Sequence, residues 1–238
     1  MINFKKYGKR CLSLFLAASM ILMPSVQTFA EEETAAATTD STQTEEEDRE
    51  TQRQNCYAIA PDSNSVENLP QGPATYADSA IVMDMNSGAV LYSKQIEKKH
   101  YPASITKVMT ALVAIENSSL SETVTYSRNA VTNLESGASN IEIQPGEKLS
   151  MEDSLYAILL MSANEACNGV AEHVAGSIDN FVAMMNQKAK ELGCTGTNFA
   201  NANGLWMSNH YTTAHDMALI SQEAYKNPTF AKITGTKR

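Results

Sequence analysis

Apolar and polar positions change rhythm several times along the chain. Ala80, Ile81, Val82 and Met83 lead into Asp84, then a turn-forming Asn86-Ser87-Gly88, then a second apolar run from Ala89 to Tyr92. That order predicts a β-hairpin, with glycine where the turn needs a positive φ. Pro102 precedes Val108, Met109, Leu112, Val113 and Ile115, which share one face at helical spacing. A helix therefore begins close to Ser104, with proline in its first turn. Ser150-Met151-Glu152-Asp153 has the form of a capping box ahead of the apolar run Leu155 to Met161, and a further helix follows Asn164. Ser177-Ile178-Asp179-Asn180 opens another pattern through Phe181, Met184 and Leu192 that Gly193 stops, and Thr213 with Asp216 caps one through Met217, Leu219 and Ile220. One hairpin followed mostly by helices is the expected order, in a folded domain over 77–238.

Ahead of Ala77 this rhythm is missing. Residues 31 to about 55 carry Glu31-Glu32-Glu33 and Glu45-Glu46-Glu47-Asp48 among Ala, Thr, Ser and Gln, so a solvated, self-repelling linker is predicted. Pro61, Pro70, Gly72 and Pro73 extend the loop-like composition, and the linker is assigned to 31–76. At the extreme N-terminus Lys5, Lys6, Lys9 and Arg10 precede an apolar stretch from Cys11 to Met23, and Thr28-Phe29-Ala30 supplies small residues before a cleavage point. Residues 1–30 thus read as a secretory signal peptide cut after Ala30, with an uncleaved anchor as the alternative. This places the domain outside the cytoplasmic membrane, in the cell envelope or beyond. Cys11 stands at the start of the apolar stretch, not at its end, which argues against a lipid-anchored cysteine.

Charge narrows the partners. Lys and Arg number 18 against 27 Asp and Glu, a net −9, and removing the four N-terminal cations makes the remainder −13. So acidic a chain lacks the clustered cations that nucleic-acid binding requires, and no nucleic acid is expected as a partner. With 43% hydrophobic residues the domain has enough apolar material for a core. Cys56, Cys167 and Cys194 remain after cleavage, an odd number that cannot all pair, and Cys167 reads as a small buried hydrophobe. His100, His173, His210 and His215 show no H-E-x-x-H spacing, so no metal and no cofactor is expected. Met151, Met161, Met184, Met185 and Met217 fall at expected core positions, and Glu135, Glu142 and Glu147 read as solvated charge.

Two short motifs could carry chemistry. Ser104-Ile105-Thr106-Lys107 sets a hydroxyl and an amine three residues apart, neighbours on one helix face. A serine becomes a nucleophile when a neighbour takes its proton, and a lysine can do so once burial pulls its pKa down from about 10.4. The helix N-terminus favours the negative charge that develops on the serine oxygen. By itself S-x-x-K arises about once by chance in a chain of this length. Ser162-Ala163-Asn164 lies at a junction of two helical patterns, where the hydroxyl can relay a proton and the amide can hold a substrate carbonyl. Ser127-Arg128-Asn129 has the same S-x-N form but polar surroundings, and capping is the plain reading of any such serine.

Taken together, Tyr101 to Thr110 and Leu160 to Ala166 resemble the serine-type D-alanyl-D-alanine carboxypeptidases, the low-molecular-mass penicillin-binding proteins. The resemblance continues through Asn201-Ala202-Asn203-Gly204-Leu205 and His210 to Ala218, covering about residues 77 to 238. It implies an α/β (α+β) domain of β-lactamase/transpeptidase-like fold, an antiparallel sheet flanked by helices. It also implies roles: Ser104 the nucleophile, Lys107 its base, Ser162 a proton relay and Asn164 a binder of the substrate backbone. The implied substrate is a peptidoglycan stem peptide ending in D-Ala-D-Ala, with β-lactams as covalent inhibitors of the same serine. One departure stands out. The family's K-T-G motif, on a strand that supplies a cation for the substrate carboxylate and part of the oxyanion hole, does not occur; Thr234-Gly235-Thr236-Lys237 has the letters in another order. The chain accordingly reads as a domain without its C-terminal strands, weak or inactive as written, and a membrane anchor beyond those strands is left open. The alternatives are a class A-like β-lactamase, against which stands Ala163 where that class has aspartate, and a non-catalytic peptidoglycan-binding fragment.

Overall fold

The computed structural model describes residues 31–132 and 134–237, with residues 31–44 described by their backbone alone. The signal-peptide reading lies outside the described residues.

Where composition predicts an unstructured linker, the backbone forms one 28-residue helix, α1 (Glu31–Ala58). Low hydrophobicity deprives this segment of a buried face, but Glu, Ala, Gln and Arg are good helix formers. Short-range pairs add to this, Arg49 to Glu45 at 3.7 Å and Arg53 to Glu50 at 3.6 Å. Residues 45–55 are exposed throughout, so the solvated character holds while the absence of structure does not. Tyr57 stacks on Tyr76 with centroids 4.6 Å apart, under the Arg53 guanidinium, and this unit comprises the chain up to Ile59 with Ala74–Ala77. No helix among the described residues is long and apolar enough to cross a membrane.

The second unit, Ala60–Pro73 with Asp78–Arg238, holds the core and the candidate site. Packed structure thus begins before Ala77. Asp62 Oδ2 accepts the Gln95 N–H at 2.6 Å, Asn64 Oδ1 accepts that of Gly72 at 2.7 Å, and the Tyr92 hydroxyl donates to the Pro73 carbonyl at 2.9 Å. The Pro/Gly-rich stretch is indeed a loop, but these bonds and the Tyr92 ring lying against Gly72 fasten it down. Strands β1 (Ala80–Met83) and β2 (Val90–Lys94) form the expected antiparallel hairpin, Ile81 opposite Ser93 and Val82 opposite Tyr92, with Gly88 at φ +72° in the turn.

Helix α2 (Thr106–Asn117) follows a 3₁₀ turn over Ala103–Ile105 and is the centre of the unit. Its residues Thr106, Lys107 and Met109 to Ala114 are buried. A helix buried nearly all round must be enclosed by other elements. The later helices α4 (Met151–Met161), α5 (Asn164–Ala175), α6 (Ile178–Glu191), α7 (Ala214–Lys226) and α8 (Pro228–Thr234) all pack against it. Their starts are those the sequence predicts: Ser150, Ser177 and Thr213 side chains accept the N–H of Asp153, Asn180 and Asp216. Met151 and Met185 are fully buried, whereas Met161 ends α4 at 42% exposure instead of joining the core. A second ladder, β3 (Thr123–Thr125) with β4 (Lys148–Ser150), and the short α3 (Arg128–Thr132) were not expected; three-residue strands are too short to show alternation. Among the described residues the strands therefore form two two-stranded antiparallel ladders, with α7 packed on β1.

Candidate active site

Two non-glycine residues with positive φ mark the site, Ala103 at +48° just before Ser104 and Ser162 at +55°. Such backbone costs on the order of 1–3 kcal/mol and persists where surrounding structure enforces it. At Ala103 the enforcing element is the turn Asn201–Leu205. Gly204, at φ +88°, lies so close that a Cβ there would overlap the Ala103 carbonyl oxygen. Asn201 Oδ1 closes the turn by accepting the Gly204 N–H at 2.7 Å. At Ser162 the left-handed residue ends α4: the N–H groups of Ser162 and Ala163 both reach back to the Ala157 carbonyl, and α5 begins at once.

These two corners bring the four predicted residues together. Ser104 is exposed, and its Oγ accepts a hydrogen bond from Ser162 Oγ at 3.0 Å. Lys107 is 3% exposed, and its Nζ faces three acceptors: Asn203 O at 2.6 Å, Asn164 Oδ1 at 2.8 Å and Ser104 Oγ at 3.4 Å. Burial drives the ammonium below its ordinary pKa, and the charge of the neighbouring Glu165 partly opposes that shift. A neutral lysine has two protons and one lone pair. With two carbonyl-type oxygens holding the protons, the lone pair is left for the Ser104 hydroxyl. Asn164 is itself held, its Nδ2 donating to the Ser139 carbonyl at 2.9 Å. That bond fixes the amide with oxygen toward the lysine, and leaves one Nδ2 proton for a further acceptor.

Several residues that shape the site carry no motif of their own. Asn203 acts through its main-chain oxygen, which no side-chain pattern reveals. Its amide donates to Asn168 Oδ1 at 3.2 Å, and the Thr110 hydroxyl donates to the adjacent Ala202 carbonyl at 2.6 Å. His210, 1% exposed, accepts the Ala200 N–H at Nδ1 (2.9 Å), so its Nε2 is the protonated nitrogen and donates to Thr106 Oγ1 (2.8 Å). Burial pulls its pKa down to about 4, so the ring is neutral near pH 7. The other histidines pair locally, His100 with Ser79, His173 with Glu122 and His215 with Glu97. Ser127 accepts the Ala130 N–H and so caps α3, as expected for the less favoured S-x-N tripeptide. Exposed apolar groups surround the serine-bearing turn: Tyr101 and Ile105 flank it, and Trp206 has its ring 6.2 Å from that of Tyr101.

The sequence profile of the D-alanyl-D-alanine carboxypeptidase family matches residues 66–238. The chain belongs to that family. Among relatives, D-alanyl-D-alanine carboxypeptidase DacF of Bacillus subtilis is 38% identical over 165 residues, 67% of this chain and 42% of its own length. DacC of Escherichia coli is 33% identical over 174 residues, 70% of this chain and 44% of its own. Of solved structures, D-alanyl-D-alanine carboxypeptidase from Mycobacterium tuberculosis superposes with TM-score 0.64 at 36% identity, covering 75% of this chain and 65% of that one. Penicillin binding protein 6B from Escherichia coli gives TM-score 0.67 at 28% identity, over 71% and 56%. This family of penicillin-binding DD-peptidases supplies the fold, and the chain spans less than half the length of these two curated relatives.

Proposed function

We propose that this protein is a serine D-alanyl-D-alanine carboxypeptidase acting through an acyl-enzyme on Ser104. One observation carries the reading: Ser104 Oγ lies within hydrogen-bond reach of a buried amine whose other two acceptors are fixed, and of a second hydroxyl. Neutral Lys107 takes the Ser104 proton as Oγ attacks the carbonyl between the two terminal D-alanines of a peptidoglycan stem peptide. The proton then passes from the Lys107 ammonium through the Ser162 hydroxyl to the departing amine as the C–N bond breaks. Terminal D-alanine leaves, and water later hydrolyses the Ser104 ester. Base catalysis of this kind contributes roughly 10²- to 10⁴-fold. The second Nδ2 proton of Asn164 holds a substrate carbonyl, a role supported by the fixed orientation of the amide. A β-lactam offers the same electrophile in a ring, so it acylates the same oxygen. Family membership favours this reading over a β-lactamase or a non-catalytic binder, and Ala163 stands where the class A enzymes have aspartate. The basic, then apolar N-terminal segment supports action outside the cytoplasmic membrane, where such a peptide is found.

The test is the intact mass of the purified chain after exposure to benzylpenicillin, beside Ser104→Ala. A penicilloyl adduct present only in the first supports the reading, and slow release of it marks a carboxypeptidase. Fast turnover points instead to a β-lactamase. Stem-peptide binding with no adduct points to a binding protein.

A further inference from the structure

One carboxylate beside the site has no part in the chemistry above. Glu165 follows Asn164 in the first turn of α5 and is 1% exposed. Its Oε1 accepts the Ile141 N–H at 2.6 Å, and Oε2 is buried and accepts no hydrogen bond from any described residue. Burying a carboxylate costs several kcal/mol unless charge and hydrogen bonds answer it. Two relationships answer it here. Ile141 lies two residues beyond Ser139, whose carbonyl takes both the main-chain N–H (3.0 Å) and the Nδ2 (2.9 Å) of Asn164. Glu165 thereby fastens the segment that turns Asn164 Oδ1 toward Lys107. It also interacts electrostatically with Lys107 itself.

Among the described groups that act electrostatically on that amine, none but Glu165 brings negative charge near neutral pH. The Cys167 thiol on α5 is pushed up to about 12 by burial, and the Tyr126 phenol after β3 is raised by the same cause. His210 is neutral on the turn side, and Asp153, at the start of α4, is bonded to Ser150. Ser104, Ser162, Asn164 and Asn203, which touch or face the amine, do not ionise in this range.

We propose that Glu165 is a positioning residue for Lys107: its carboxylate fastens the Ser139–Ile141 segment that aims Asn164, and it holds negative charge one residue from the Asn164 that touches the buried amine. The inference rests on the reading of Lys107 as the base, and its test follows the lysine without requiring acylation. The whole chain is labelled with ¹³C at lysine Cε and titrated by NMR, the Lys107 signal being identified by its loss in Lys107→Arg. Glu165→Gln keeps an acceptor for the Ile141 N–H and removes the charge, so the Lys107 midpoint falls by about one pH unit or more. Glu165→Asp keeps the charge and shortens the reach to Ile141, so its midpoint stays nearer the parent's. A Gln midpoint equal to the parent's overturns the proposal, as does an Asp midpoint displaced as far as that of Gln. Should the Gln variant fail to fold, Asp alone decides, and a midpoint lowered by about one unit overturns it. Benzylpenicillin labelling of the parent, run alongside, judges Ser104 separately: a shifted midpoint without an adduct removes the nucleophile assignment and leaves that of Glu165 standing.

Discussion

Lys107 Nζ rests 2.6 Å from the main-chain carbonyl oxygen of Asn203, a residue 96 positions later in the chain. A main-chain acceptor cannot be deleted by substitution, so the arrangement depends on the turn that presents it. That turn in turn depends on Gly204, the one residue type that tolerates both φ +88° and the Ala103 carbonyl at its Cα.

Gly204→Ala is therefore expected to lose about 2–4 kcal/mol, from left-handed strain together with the overlap. Because the overlap falls on Ala103, the residue before Ser104, the variant should also acylate more than about tenfold slower even where it remains folded. Thermal denaturation and the benzylpenicillin labelling rate check the two parts. A variant that melts and labels like the parent would show that the turn does not hold the serine.

Lys107→Arg preserves a cation but not a base, since guanidinium does not deprotonate in proteins. Labelling of Ser104 should drop by roughly 10²- to 10⁴-fold. In the proposed mechanism the active form of the parent is the neutral amine, so the labelling rate should rise with pH through the Lys107 pKa. Burial lowers that pKa, and the rise therefore falls below the ordinary lysine range. Stopped-flow labelling across pH shows the limb in the parent and its absence in Arg. A parent rate that is flat with pH would argue for another base.

Much of this site's geometry was legible in the sequence because its four leading residues meet through side chains at fixed local spacing. Ser104 and Lys107 lie one turn apart, and Ser162 and Asn164 flank a helix break that the apolar pattern already marks. Asn203, Ser139 and Ala103 were not legible, because they contribute a carbonyl or a backbone angle. Glu165 was visible only as the residue after a motif, since its burial arises from the loop around Ile141 and not from anything local. The same division holds for the fold. Caps such as Ser177 and Thr213 announce their helices, while the three-residue strands β3 and β4 exist through pairing partners 23 to 27 residues apart. For α1 the difference runs the other way: composition predicts a linker because the segment has no face to bury, yet helix propensity and short-range ion pairs need no such face.

His210 gives a stability that depends on pH. Its imidazole binds a proton near 6.5 when unfolded and near 4 when folded, so between these values the unfolded chain holds more protons. The contribution is complete above about 6.5, falls as pH drops through that window and changes no further below 4. At 1.36 kcal/mol per pH unit the loss is on the order of 3 kcal/mol. His210→Gln should be less stable than the parent at pH 8 and should lose less stability between pH 6.5 and 4. Urea denaturation at several pH values measures both. Parallel curves for the two proteins would remove His210 as the cause.

Ser162 combines two properties that substitution can separate. Its left-handed backbone ends α4, and its hydroxyl donates to Ser104 Oγ at 3.0 Å. Glycine accepts that backbone without the Cβ penalty, so Ser162→Gly should gain about 0.5–1 kcal/mol of stability, whereas Ser162→Ala keeps the strain and gains nothing. Both variants lack the hydroxyl that, in the proposed mechanism, carries the proton to the leaving amine, so both should label with benzylpenicillin about a hundredfold more slowly. Were Ser162 only a helix stop, glycine would serve as well or better and the labelling rate would hold. A serine kept in a conformation that glycine adopts more easily is the pattern expected when the hydroxyl is required and the strain is its consequence. Melting temperature and labelling rate, measured on the same two variants, decide between these accounts.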